Sequence, residues 1–132
     1  YYNAKIIFLF GPGEQHFINA VRGAMKQKAL PDYDIPLLAE TLAILNKVDL
    51  HIGNDNGPRH FAVAGGTPTL AIFGRPWASN WTPPQAAQHC ALEYDPGCKN
   101  NCTYPKCKLE CLNGVTVETV QTELEKMIKT FC

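Results

Sequence analysis

The sequence has no excess of positive or negative charge. Its 132 residues contain 12 Lys plus Arg and 12 Asp plus Glu, which gives a formal net charge of zero at pH 7. Because nucleic acids are anionic and bind proteins that carry an excess of basic residues, this balance argues against a nucleic acid partner.

Long apolar runs are lacking as well. No stretch reaches the ~18 consecutive apolar residues of a membrane-spanning helix, and the start does not have the pattern of a signal peptide.

Two glycine-rich nucleotide-binding motifs are incomplete. Gly11 and Gly13 follow an apolar run and precede a helix pattern, as in the dinucleotide fingerprint, but His16 stands where the third glycine is needed. No P-loop lysine follows a glycine-rich turn either. Neither fingerprint therefore identifies a ligand.

Apolar segments of strand length alternate with amphipathic segments of helix length. Strands are predicted at 5–10, 50–52, 69–73 and 90–94, and helices at 14–27, 36–45, 58–64 and 117–131, the last with Thr116 as its N-cap. A long loop is predicted at 75–88. This alternation is typical of an α/β fold, a Rossmann-like open parallel sheet with flanking helices. The length suits one domain, 1–132. Because the chain opens without a methionine and enters a strand almost at once, we expect it to be a fragment of a longer chain.

The most informative stretch, residues 49–74, is predicted to form a strand, a tight turn, a helix and a second strand. The turn at 53–57 consists of Gly, Asn and Asp, which adopt positive φ angles or bond their own backbone. Asp55 or Asn56 is the predicted N-cap of the helix, and the glycine pair at 65–66 ends it. In a parallel sheet such a turn lies at the carboxyl ends of the strands, where free helix N–H groups favour an anion such as a phosphate.

Three charged or titratable side chains are candidates for that ligand. Arg59 is either a second phosphate donor or a solvated surface charge. His60 lies in the first turn of the predicted helix, where the N–H groups already favour an anion. Glu14, at the start of the first helix, either interacts with the helix dipole or accepts hydrogen bonds from a ribose.

The run DLHIGNDNGPRH at 49–60, continued by AVAGGTP at 62–68 and FG at 73–74, resembles the carboxy-terminal motif of the lipopolysaccharide heptosyltransferases, glycosyltransferase family 9. The family pattern is approximately D-x-x-I-G-x-D-[ST]-G-x-x-H. The glycine-then-acid turn at 10–14 and the Trp-Thr-Pro loop at 81–83 are similar to further family segments. Asn56 departs from the pattern, which has Ser or Thr there. An amide can cap a helix and donate to phosphate, but it lacks the hydroxyl, so donor preference or rate is affected.

The resemblance implies the C-terminal half of a two-domain GT-B enzyme that transfers heptose, or a related sugar, with inversion. The donor would be a nucleotide-sugar, with ADP-heptose leading, and the acceptor a lipopolysaccharide core bound by the missing N-terminal domain, which would also carry the catalytic base. No cofactor would be required, and the fragment alone would be inactive. The full-length enzyme would be cytoplasmic, at the inner face of the cytoplasmic membrane, with peripheral association. Carried over by motif position, the donor-binding residues would be Gly13, Glu14, Asp55, Asn56, Gly57 and His60.

Four of the six cysteines follow a C-x3-C-x4-C-x3-C spacing. If each pair lay on a helical turn, the four thiolates could converge on a structural zinc, although zinc sites more often use C-x2-C. Disulfides and free thiols are the alternatives. The four candidate ligands are Cys98, Cys102, Cys107 and Cys111.

Two other functions remain open from the residues. One is another GT-B enzyme, such as a nucleotide-sugar epimerase. The other is a non-catalytic module that binds a nucleotide or uses the cysteine cluster for an interaction.

Overall fold

The computed structural model describes residues 2–30 and 37–132. By compactness the chain divides into two units, Tyr1–Thr41 and Leu42–Cys132, which are described one at a time. The expectation of a single domain stays a prediction, since two compact units can belong to one domain.

The first unit contains helix α1 (Gln15–Ala24) and the beginning of α2 (Leu38–Leu45). The amphipathic pattern that predicts a helix at 14–27 is confirmed, although the helix ends three residues earlier, where Met25 turns to extended backbone. None of the residues of α1 is fully buried. The predicted start of α2 at position 36 lies outside the described residues.

The strand predicted at 5–10 is wrong. The backbone of this apolar run forms no sheet with the residues that the structure describes, and a hydrogen bond joins it to a later segment, from Leu30 N to Ile6 O at 2.8 Å. A strand is stabilised by a continuous ladder of such bonds with a neighbour, which an apolar sequence alone cannot provide.

The second unit is built on a parallel sheet of three strands, in the order β1 (His51–Asn54), β2 (Thr69–Phe73) and β3 (His89–Glu93). Thr69 pairs with both His51 and His89, which sets the register across the sheet. All three strands run in the same direction, so their carboxyl ends share one edge. The predicted Rossmann-like open parallel sheet is confirmed.

Helix α3 (Gly57–Ala64) connects β1 to β2 and packs against both. A long segment with a 3-10 helix, Ala78–Asn80, connects β2 to β3. A second 3-10 helix, Lys99–Asn101, and the short α4 (Glu110–Asn113) precede the final helix α5 (Val117–Phe131). None of the described helices is long and apolar enough to span a membrane.

The core of the second unit centres on β2. Leu70, Ala71 and Phe73 have no exposed surface, and Ala78 and Ala91 pack against the strand. A strand buried on both faces has a continuous apolar sequence, which is why the pattern at 69–73 predicts β2 with its observed bounds. Burying a side chain as large as Phe73 contributes about 1.5–3 kcal/mol.

The ends of α3 and α5 follow their predicted capping residues. Thr116 Oγ1 accepts a hydrogen bond from Thr119 N at 3.2 Å and begins α5. At the end of α3, Gly66 has φ +79°, a left-handed conformation that favours glycine. Within α5, Met127 is buried, whereas Val117, in the first turn, is exposed.

Candidate functional site

The turn between β1 and α3 lies at the carboxyl edge of the sheet. Of the two predicted N-caps, the structure selects Asn56, which has extended backbone and whose Oδ1 accepts a hydrogen bond from Arg59 N at 3.3 Å. Asn caps helices at least as well as Ser or Thr. The departure of Asn56 from the family pattern therefore keeps the helix start intact and leaves a side-chain amide NH₂ in place of a hydroxyl.

The backbone at the start of α3 offers unused N–H donors. Pro58 has no N–H, and the N–H groups of Arg59 and His60 bond to the Asn56 side chain and carbonyl. The N–H groups of Asn56 and Gly57 are left for a ligand. An added Cβ at Gly57 would meet one atom, Phe61 Cε2, at 4.0 Å, so nothing in the protein's own packing requires glycine there. Space above an unbonded N–H at a helix start suits an anion.

Asp55 lies between two cationic or titratable partners. Its Oδ1 is 3.6 Å from Arg59 Nη1 and 3.3 Å from His60 Nε2, and the side chain is 15% exposed. This oxygen is buried and makes no hydrogen bond with the described residues. Arg59 and His60 thus enclose Oδ1, and a ligand can reach only the exposed part of the Asp55 side chain.

Arg59 is fully buried, so both predictions for it, a phosphate donor and a solvated surface charge, are wrong. Its Nη1 donates to the Trp81 carbonyl at 2.7 Å and its Nη2 to Thr82 Oγ1 at 3.0 Å. The guanidinium carbon lies 5.1 Å from the centre of the Phe73 ring. Burial lowers the pKa of Arg59 and the Asp55 carboxylate opposes that shift. An arginine remains protonated in proteins, so the interior holds a positive charge.

The charge of Arg59 also acts on two histidines of the sheet. Burial, and then the Arg59 charge, lower the pKa of His51 and of His89. His89 Nδ1 lies 3.2 Å from Thr69 Oγ1, within hydrogen-bonding distance. Both effects favour the neutral form of the imidazoles, and His51 and His89 lie in β1 and β3.

The long loop predicted at 75–88 reaches the turn. The rings of Trp81 and His60 lie 5.8 Å apart between centroids at an interplanar angle of 60°. Trp81 is 54% exposed, and the His60 side chain 41%. An indole and an imidazole thus border the start of α3 with much of their surface in solvent.

Two further predicted donor-binding residues, Gly13 and Glu14, lie in the first unit. Glu14 Oε2 accepts a hydrogen bond from Gly11 N at 2.6 Å, and Gly13 has φ +82°, so these residues close the turn before α1. The carboxylate of Glu14 supports its own turn, and its role toward a ribose stays a prediction. Asp55, Asn56, Gly57 and His60 are the predicted residues that the structure brings together.

The cysteine segment contains free thiols. All six cysteines are unpaired in the structure, and no group of three or more His, Cys, Asp or Glu among the described residues has an arrangement that could hold a metal. Cys98 and Cys102 flank a 3-10 helix and Cys111 lies in α4, so the pairs do not share regular helical turns. Desolvation, then nearby Cys102, Glu110, Cys111 and Cys107, raise the pKa of Cys98. Zinc binding by these cysteines stays a prediction.

The fold and the site define a parallel α/β domain with an open helix N-terminus at the carboxyl edge of its sheet. A protein-family model described as glycosyltransferase family 9 (heptosyltransferase) matches residues 4–112. The chain therefore belongs to glycosyltransferase family 9. No curated protein and no solved structure gave a match.

Family membership confirms the resemblance seen in the sequence, and the Rossmann-like parallel sheet fits the GT-B fold of this family. Enzymes of this family use a nucleotide-sugar donor and an acceptor. Membership of this family favours a glycosyltransferase over an epimerase or a non-catalytic module.

Proposed function

We propose that this chain holds the donor in an inverting transferase that moves heptose, or a related sugar, from a nucleotide-sugar to a lipopolysaccharide core. ADP-heptose is the leading donor. The observation that supports a diphosphate ligand is the start of α3, where the N–H groups of Asn56 and Gly57 are unused and the space above Gly57 is open. The proposed setting is the cytoplasmic face of the inner membrane, with peripheral association of the full-length enzyme.

In the proposed reaction an acceptor hydroxyl oxygen attacks the anomeric carbon. The bond from that carbon to the diphosphate oxygen breaks, the nucleoside diphosphate leaves with the electron pair, and the hydroxyl proton passes to a base outside this chain. Negative charge grows on the leaving diphosphate. The helix N-terminus contributes up to ~2 kcal/mol toward a partly buried anion, more as charge develops on it. This electrostatic stabilisation does not require a bound cofactor.

The side chains of the turn make the other proposed contacts with the donor. Asn56 donates through its NH₂ to a phosphate oxygen, because its Oδ1 is engaged in the cap. Asp55 accepts from a sugar hydroxyl through Oδ2, because its Oδ1 is buried against Arg59 and His60. His60, 3.3 Å from Oδ1, supports the carboxylate or donates to the diphosphate.

Calorimetry on the full-length protein with ADP and with ADP-heptose tests the donor site. Gly57→Ala should weaken both affinities by about tenfold, because a methyl group occupies the space over the N–H groups. The stability of the Gly57→Ala variant should not fall, since alanine has a higher helix propensity than glycine. Gly23→Ala is the matched control, a helical glycine of α1 with open space around it, and it should leave both affinities unchanged.

Asp55→Ala provides a second test of the same site. We expect weaker binding of ADP-heptose and loss of heptose transfer to a lipid A core acceptor, with the fold checked by circular dichroism. A folded full-length protein that binds neither ADP nor ADP-heptose would disprove the donor-site proposal.

A further inference from the structure

Arg59 connects two segments that are distant in the sequence. Its backbone belongs to α3, its charge faces Asp55 at 3.6 Å, and its guanidinium donates to Trp81 and Thr82, 22 and 23 residues further along. The two hydrogen bonds, at 2.7 and 3.0 Å, use both terminal nitrogens. One buried side chain therefore fixes the Trp81 loop against the donor-binding turn.

A buried guanidinium is a costly way to hold a loop in place. Arg59 Nε is buried and has no hydrogen-bond partner among the described residues, and Asp55 is the carboxylate that faces the charge. Replacing both partners of a buried ion pair together with apolar groups is often neutral or stabilising, although removing one partner alone is not. Stability by itself therefore does not account for Arg59, whereas the orientation of what it holds does.

Arg59 holds the backbone of a residue whose aromatic ring is exposed. Trp81 is more than half exposed and borders His60, although a tryptophan in a loop gains most from burial. Asp55 borders the same histidine, since His60 Nε2 lies 3.3 Å from Asp55 Oδ1. A carboxylate that accepts hydroxyl hydrogens and an indole that packs on C–H groups, both beside one imidazole, have the chemistry to bind a sugar ring.

We propose that Trp81 packs against the sugar ring of the nucleotide-sugar donor and that Arg59 is the positioning residue that holds Trp81 and Asp55 in register. This inference rests on the proposed function and adds the sugar subsite to it. The indole is a specificity-determining contact, since it meets the transferred sugar and not the nucleotide.

Trp81→Ala in the full-length protein tests the sugar contact. We expect about tenfold weaker binding of ADP-heptose in calorimetry and no change for ADP, because ADP lacks the sugar. Trp81→Phe should restore most of the loss, since a phenyl ring also packs on a sugar. In transfer assays KM should rise while kcat stays close to that of the wild type. Val117→Ala, which trims an exposed apolar side chain on α5, is the control and should change neither affinity.

Thr82→Val and Arg59→Lys test the positioning role. Valine at position 82 removes the hydrogen bond from Arg59 Nη2. Lysine at position 59 keeps the positive charge but cannot donate to Trp81 and Thr82 at the same time as the planar guanidinium does. Each variant should therefore lower the affinity for ADP-heptose more than the affinity for ADP. In the double variant of Thr82→Val with Trp81→Ala, we expect no further sugar-specific loss, because the hydrogen bond acts through Trp81.

The outcomes separate the inference from the proposed function. Equal losses for ADP and ADP-heptose in Trp81→Ala, or additive losses in the double variant, would overturn the inference and leave the donor site standing. The inference would also be overturned if the wild type bound ADP and ADP-heptose with equal affinity. Absence of binding to either ligand would overturn both.

Discussion

Two buried cations, Arg59 and Lys99, hold two loops of the second unit in different ways. Lys99 Nζ donates to Glu93 Oε2 at 2.5 Å and lies 4.6 Å from the centre of the Trp77 ring. Arg59 donates to two neutral oxygens and faces Asp55 at 3.6 Å. Lysine thus acts as a point charge on one carboxylate, and arginine as a fork that orients three groups.

The difference concerns how each charge is compensated. The Lys99 pair lies at the end of β3, where Glu93 keeps 31% of its side chain in solvent and also accepts from Ala78 N at 3.1 Å. Arg59 is fully buried and its carboxylate partner is 15% exposed. Lys99 therefore anchors the cysteine segment through one short ion pair, whereas Arg59 joins Asp55 of the candidate site to the Trp81 loop.

Removing the arginine should have the largest effect on the free energy of unfolding. Arg59→Met leaves Asp55 without its charge partner and the Trp81 carbonyl without its donor, so we expect a loss of about 3–5 kcal/mol in the free energy of unfolding. Urea denaturation measures it. Arg75→Met, an exposed arginine in the neighbouring loop, should stay within about 0.5 kcal/mol of the wild type. A loss for Arg59→Met as small as that of the control would show that the buried charge costs as much as its contacts contribute.

Removing the lysine should have a smaller effect that depends on pH. Lys99→Met leaves Glu93 in contact with water, so we expect a loss of about 1–2 kcal/mol at pH 7. Desolvation raises the pKa of Glu93, but hydrogen bonds from Lys99 and Ala78 N outweigh it and lower the pKa below its ordinary value of 4.5. Because a lowered carboxyl pKa stabilises the fold above the unfolded-state pKa, the difference between wild type and variant should close as pH falls through the folded-state pKa.

Urea denaturation of Lys99→Met at a series of pH values between 3 and 7, roughly the span in which carboxyl groups titrate, measures this dependence. Lys126→Met, which breaks the exposed ion pair with Glu123 on α5, is the matched control and should cost about 0.5 kcal/mol or less. A loss for Lys99→Met that is constant across this pH range would assign its effect to packing against Trp77 and not to the ion pair.

Changes to the cysteine segment should have the smallest effect on donor binding. If Cys98, Cys102, Cys107 and Cys111 bind zinc, protein purified under reducing conditions should contain one zinc per chain, and Cys111→Ser should lose it. Chelation should leave the ADP affinity unchanged, because Arg59 and not this segment holds the turn. Metal analysis without stoichiometric zinc would exclude the zinc hypothesis and leave disulfides and free thiols.

The local elements around the site follow from the sequence. β2, the N-cap Thr116 and the glycine end of α3 follow from apolar runs, capping residues and φ preferences, which act within a few residues. The family motif likewise lies on one continuous stretch, so the sequence alone predicts the turn and the helix start at 55–60, with Asp55 and Asn56 as alternative caps.

Which charges are buried and which apolar run forms a strand depend on tertiary structure. Arg59 has the sequence pattern of a surface residue on a helix, and it is buried because oxygens 22 and 23 residues away accept its hydrogen bonds. The run at 5–10 has the composition of a strand but forms no sheet with the described residues. Burial of a charge and pairing of a strand depend on distant backbone, which local patterns do not encode.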